Sequence, residues 1–176
     1  SERIKEEQAM KASYGLKNVR EIWKVNTTLR RHRHQAMKLI GRVDTSEPHW
    51  AREQQDLLNS LYSKGLISEE SSLDNVLELS VEDMLGRRLQ TLVRLKGLAV
   101  SHNQARQLIT HGHISIGGQK ITIPSYPVSR EEEENITYVS RSALADPNHS
   151  IRQDIESSRA TAEYGEEDEA EDSESE

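Results

Sequence analysis

Between residues 87 and 123 the chain reads RRLQTLVRLKGLAVSHNQARQLITHGHISIGGQKITI. Its Arg, Lys, His, Asn and Gln side chains can donate hydrogen bonds to phosphate and to the polar edges of a nucleic acid. Arg87, Thr91 and Arg94 fall at i, i+4 and i+7, with Arg88 beside them and Lys96 close by. Ser101, His102, Asn103, Gln104, Arg106 and Gln107 follow, then His111, His113 and Lys120. A second basic set lies upstream, where Arg20, Lys24, Thr27, Arg31, His34 and Lys38 alternate in steps of four and three, flanked by Arg30, His32 and Arg33. Lys and Arg at this density neutralise phosphates and release counterions. No aromatic residue stands between 87 and 123, so stacking of unpaired bases is not the chemistry on offer. The residues suit recognition of folded RNA by shape and backbone, with little base readout.

The elements that must hold these groups can be read from spacing. Ser80 predicts an N-cap, with Glu82 and Asp83 in the first turn of one helix. Leu85, Leu89, Leu92 and Val93 form its apolar stripe, and Gly97 ends it. Ser101 with Gln104 predicts a capping box for a second helix, buried through Ala105, Leu108 and Ile109 and stopped by Gly112. The Ser101 helix start would also add backbone N–H donors for phosphate. Gly117-Gly118 predicts a two-residue hairpin turn, which sets Ile116 opposite Gln119 and Ser115 opposite Lys120. Ile114, Ile116, Ile121 and Ile123 then share an inner face, and His113, Ser115, Lys120 and Thr122 a polar one. Residues 131–134 read as a charged loop, and Asn135 to Val139 as a last strand.

The N-terminal half reads as helical. Residues 1–12 form a short helix, and residues 19–40 a long amphipathic one, with an Asx-type capping box of Asn18 and Glu21. Val19, Ile22, Trp23, Leu29, Ala36, Met37 and Ile40 are its expected apolar side, toward which Arg33 also points. After a linker over 41–47, Ser46-Glu47-Pro48 opens a third helix. Trp50, Leu57, Leu58 and Leu61 should be its buried residues, with Trp50 read as core rather than as a base platform. One helical turn is expected around residues 73–77. The periodic pattern stops at Ser142, and residues 163–176 hold nine acids and no Lys or Arg, so disorder is expected there.

Charge is divided along the chain. Residues 1–130 carry 20 Lys and Arg against 14 Asp and Glu, net +6, whereas residues 131–176 carry 3 against 16, net −13. The overall −7 therefore describes the tail rather than the basic surface. Apolar residues make up 34% of the 176, with no Phe and no Cys, which excludes a disulfide framework and a Cys-ligated zinc site. Such a thin apolar fraction suggests that part of the chain depends on a partner for order. No apolar run approaches the roughly 20 residues of a membrane span, and no signal-peptide pattern opens the chain. Phosphate loops, dinucleotide fingerprints and nucleophile elbows are absent. His111 and His113 read as an RNA-facing pair rather than half a metal site, and Asp44, Glu47 and His49 as ordinary linker residues.

One family resembles this pattern. Arg88-Leu89-Gln90-x-Leu92, Lys96-Gly97-Leu98-Ala99, Ala105-Arg106-Gln107-Leu108-Ile109, Gly112-His113-Ile114 and Pro124-Ser125 are similar to the alpha-L type RNA-binding domain of the small-subunit ribosomal protein four family. Tyr14-Gly15-Leu16-Lys17-Asn18 and Arg20-Glu21-Ile22-Trp23-Lys24 resemble the archaeal and eukaryotic form, and the shortness of the chain favours the archaeal one. The family often carries Arg where His102 stands, so a fixed charge gives way to one that titrates near neutrality. A basic extension normally precedes this region, so the Ser-Glu-Arg start is read as a fragment or a processed form.

The resemblance implies an α+β fold. Helical residues 1–79 would bind ribosomal RNA, residues 80–141 would form the domain of two angled helices with a hairpin and a further strand, and residues 142–176 would be an irregular to disordered acidic tail. It implies a cytoplasmic, ribosome-bound constituent of the small subunit that binds 16S ribosomal RNA at a helix junction. It further implies a role in nucleating assembly, a place near the channel by which messenger RNA enters, and an influence on translational accuracy. Neighbouring small-subunit proteins would be partners. No cofactor, metal, membrane or small-molecule substrate is expected. An RNA-modifying enzyme or a non-ribosomal module with the same domain is the alternative, disfavoured by the lack of a catalytic constellation and by the N-terminal match.

Overall fold

The computed structural model describes residues 2–42 and 47–174. Four helices build the first half: α1 (Glu2–Ser13), α2 (Arg20–Ile40), α3 (Pro48–Ser63) and α4 (Leu73–Glu78). The long helix buries Ile22, Leu29, His32, Ala36 and Leu39, a near-heptad stripe, and packs against α3 and α4. Trp23, Met37 and Ile40, expected in the core, are instead 48%, 65% and 40% exposed. Trp23 stands one residue, about 100° of helix rotation, from the buried Ile22, so it falls on the basic side. Trp50 is half-buried against the α2–α3–α4 core, with the Arg42 guanidinium 4.4 Å from its ring centre. Asp44 and the Ser46 helix start lie outside the described residues, and α3 begins at Pro48.

The expected Asn18 cap is not formed. Val19 occupies the N-cap position of α2 without a side-chain bond. Glu21 accepts from the Lys17 backbone N–H at 2.9 Å and turns the rest of its carboxylate elsewhere.

The single helix expected after Ser80 is two: α5 (Val81–Gly86) and α6 (Leu89–Leu95). Ser80 caps α5 as predicted, and Asp83, expected only as a first-turn acid, closes a capping box with it. Its end is dictated by a later segment. Arg88 is extended and bridges Pro127, and the Leu89 and Gln90 N–H groups donate to the Tyr126 and Pro124 carbonyls at 2.9 and 3.2 Å. These carbonyls satisfy donors that a helix start leaves orphaned. The break rotates α6, so Gln90 and Thr91 are buried rather than facing water. The next helix, α7 (His102–Thr110), is capped by Ser101 as predicted, although Gln104 reaches back to the Val100 N–H rather than to Ser101. Gly15, at φ 59°, lets the loop after α1 lie against α7; a Cβ there would meet the His102 Cβ at 2.7 Å.

The sheet has strand order β2-β1-β3, from β1 (Ile114–Ile116), β2 (Gln119–Lys120) and β3 (Ile136–Tyr138). The hairpin register matches the prediction, Ser115 to Lys120 and Ile116 to Gln119. Gly117 and Gly118 both have positive φ, as a type I′ turn requires. Two side chains depart from the predicted faces. Ser115 is buried in the middle strand, with its hydroxyl 3.3 Å from Thr137 Oγ1. Ile123 is 56% exposed, because pairing ends at Ile121 and Pro124 follows. Residues 131–134 are not a plain loop: Ser129 and Glu132 cap a helical turn, α8 (Arg130–Glu133).

Beyond Ser142, where the pattern fades, the chain stays regular. A 3-10 turn (Ala143–Ala145) precedes α9 (Ser150–Glu174), and Leu144 and Ile155 are buried. The disorder expected of residues 163–176 concerns a stretch whose side chains are not described and whose last two residues lie outside the described ones.

Candidate nucleic-acid interface

The exposed side of α2 carries Arg20, Lys24, Arg30, Arg31 and Lys38, with Thr27 and His34 between them. This is the predicted stripe, and Trp23 and Met37 belong to it as well. The indole N–H of Trp23 donates to Glu7 at 3.3 Å, which tethers one edge and leaves the ring half open to solvent. Amphipathic spacing alone ranked Trp23 as apolar; its position between Arg20 and Lys24 was the available contrary signal. Arg33 is the exception in the stripe. It is half-buried, and its Nη2 donates to the Leu79 carbonyl at the end of α4, which explains its inward direction.

On the corner formed by α6 and α7, Arg94, Ser101, Asn103, Gln107, His111 and Lys120 are exposed, and Lys96, His102, Gln104 and His113 are half-buried. Gln104 is engaged as a cap, and His113 Nδ1 lies 2.7 Å from the Ser142 hydroxyl. His102 stacks obliquely on Tyr14, ring centres 5.8 Å apart. Burial, followed by the nearby Arg94 charge, lowers the His102 pKa below that of a free imidazole, so its ring is neutral at pH 7.

Three predicted contacts are turned inward. Arg88 is 6% exposed, and its Nη2 donates to the Glu21 carboxylate of α2. Arg106 Nη2 donates to both oxygens of the same carboxylate at 3.0 and 3.1 Å. Arg87 is spent entirely on protein, with Nε on the Lys64 carbonyl at 3.1 Å, Nη1 on Glu133 at 2.6 Å and Nη2 on the Val128 carbonyl at 3.1 Å. These arginines therefore join elements before they meet any ligand. Burial would raise the Glu21 pKa, but the Arg88 hydrogen bond and charge, with the Lys17 N–H and Arg106, outweigh it and hold the carboxyl below its usual range.

Lys64 was not singled out by sequence pattern, and His32 entered only as a flank of the basic stripe; both line one cavity with this arginine pair. Among the described residues no group of three His, Asp or Glu side chains is placed to hold a metal ion, and no helix is long and apolar enough to cross a membrane.

Comparison with known proteins agrees with this geometry. The S4 domain family matches residues 87–134, the corner and most of the sheet. The small ribosomal subunit protein uS4 of Methanoregula boonei is 43% identical over 85% of this chain and 82% of its own length. The uS4 protein of Methanospirillum hungatei is 45% identical over 87% and 86%. That of Ignicoccus hospitalis is 50% identical over 78% and 81%.

Proposed function

This chain belongs to the family of small ribosomal subunit protein uS4, and from that premise we infer that it is a structural constituent of the small ribosomal subunit rather than an enzyme. Its partners are ribosomal RNA and adjoining ribosomal proteins, and its place is the cytoplasmic ribosome. The finer reading is a 16S ribosomal RNA junction bound early in assembly, near the channel by which messenger RNA enters, with an influence on decoding accuracy. The observation that carries the RNA reading is the exposed basic stripe along α2, with Arg94 and Lys120 exposed and Lys96 half-buried on the corner. A surface of that shape fits the phosphates of a folded junction better than an unpaired strand.

Binding of the full chain to small-subunit ribosomal RNA across a salt series tests this. The expected parent shows a steep loss of affinity with salt. Replacing Arg30, Arg31 and Lys38 with Ala should flatten the slope by about two to three units, at roughly 0.9 for each phosphate left without its cation. The Arg94, Lys96 and Lys120 triple should do the same. A salt slope that neither triple moves would remove both surfaces from the interface.

A further inference from the structure

Between α2 and the corner lies a cavity of about 490 Å³, within the roughly 300–1,000 Å³ range of small-molecule pockets. Five cationic side chains line it, Lys24, Lys64, Arg87, Arg88 and Arg106, against the single carboxylate of Glu21. Arg87 is matched by Glu133, and Glu21 is shared by Arg88 and Arg106. Lys24 and Lys64 form no ion pair among the described residues. Glu21 takes only one edge of each guanidinium. Arg88 Nη1 and Arg106 Nε are buried and have no hydrogen-bond partner, and neither has His32 Nδ1, on another lining residue. Unpaired buried donors on a side chain 6% exposed are costly, and a ligand that accepts from them removes the cost. The remaining wall is largely apolar, with Val25, Met84, Pro124 and Val128 among its residues. A bare anion would leave that wall unused.

We propose that this cleft takes one nucleotide unit, its phosphate on Arg88 and Arg106 and its sugar or base against the apolar wall. The inference deepens the RNA-binding reading and rests on it when the nucleotide is part of a strand. A free mononucleotide presents the same chemistry. Glu21 has a positioning role, holding both guanidiniums in place while Arg88 Nη1 and Arg106 Nε stay unpaired behind the cleft wall, so that a small shift of either side chain on binding brings a donor to the phosphate.

The test uses the full chain and two variants. Thr28→Phe fills the cavity from α2, and Arg106→Gln removes one donor while Glu21 keeps Arg88; melting curves establish that each is folded. Affinity is measured for AMP, for inorganic phosphate and for small-subunit ribosomal RNA. Both variants should lose RNA affinity by about ten-fold or more, the scale of one lost charge-assisted hydrogen bond. AMP should bind the parent more tightly than inorganic phosphate does. AMP binding abolished by Thr28→Phe with RNA affinity unchanged would keep the cleft as a nucleotide site and make the free nucleotide its source. Phosphate binding as well as AMP, or neither variant altering AMP or RNA binding, would overturn the proposal. A parent that binds AMP but no ribosomal RNA would sink the RNA-binding reading while leaving the cleft standing.

Discussion

Glu21 holds two arginines with one carboxylate, and those arginines come from sequence positions 67 and 85 residues away. A buried pair of this kind recovers its desolvation cost only through its hydrogen bonds, and removing one partner strands the other charge. Titration should report this. His32 and His102 both have lowered pKa values: His32 through burial first and then the Lys64 charge, His102 through burial and Arg94. The unfolded chain takes up these protons before the folded one does, so the stability gained above about pH 6.5 is lost as pH falls below it. Glu21 adds a second loss, below about pH 4.3, as its depressed carboxyl is protonated. The expected melting temperature therefore declines between pH 7 and 5, less so in His32→Gln and His102→Gln, and declines again in acid. A flat profile from pH 7.5 to 5 would mean that the imidazoles are not held neutral. None of this was legible at the residue level. Arg88 looks like surface by type, and only its distant partner makes it interior.

Elements were read with uneven success, for reasons that can be named. The hairpin was legible because period-two alternation and a Gly-Gly turn are both local. The break between α5 and α6 was not, since the carbonyls that receive the first N–H groups of α6 belong to residues 124 and 126. The docking of α9 was equally hidden, since its anchoring is sparse. Ile155 is 2% exposed, Arg152 donates to the Leu144 carbonyl at 3.0 Å and stacks on Tyr138, and the Arg159 guanidinium sits against Gly97. One buried isoleucine gives too little periodicity to see in a sequence. It does give a sharp test. Ile155→Ala should cost about 2–5 kcal/mol in urea unfolding, whereas Ile151→Ala, at 40% exposure, should stay within about 0.5 kcal/mol. Equal costs would place the anchoring of α9 elsewhere.

At the scale of the whole molecule, residues 1–162 carry net +2 and residues 163–176 net −9. A segment of that charge would compete with phosphate for the exposed lysines and arginines, over a Debye length of about 10 Å at 0.1 M salt. Removing residues 163–176 should therefore raise RNA affinity most at low salt and steepen the salt slope. An unchanged affinity and slope would show that the segment does not screen those side chains. The Glu21 junction also sets a clock for biosynthesis. Glu21 is translated 67 residues before Arg88 and 85 before Arg106, a lag of roughly 3–17 s at 5–20 residues per second. During that interval Glu21 has no guanidinium to hold, and Leu16 and Ile22 wait for Leu85 to cover them. Nascent chains stalled before residue 85 should accordingly be cut near the start of α2 by added protease, and completed, released chains should resist, because the clasp closes only when the corner has left the ribosome.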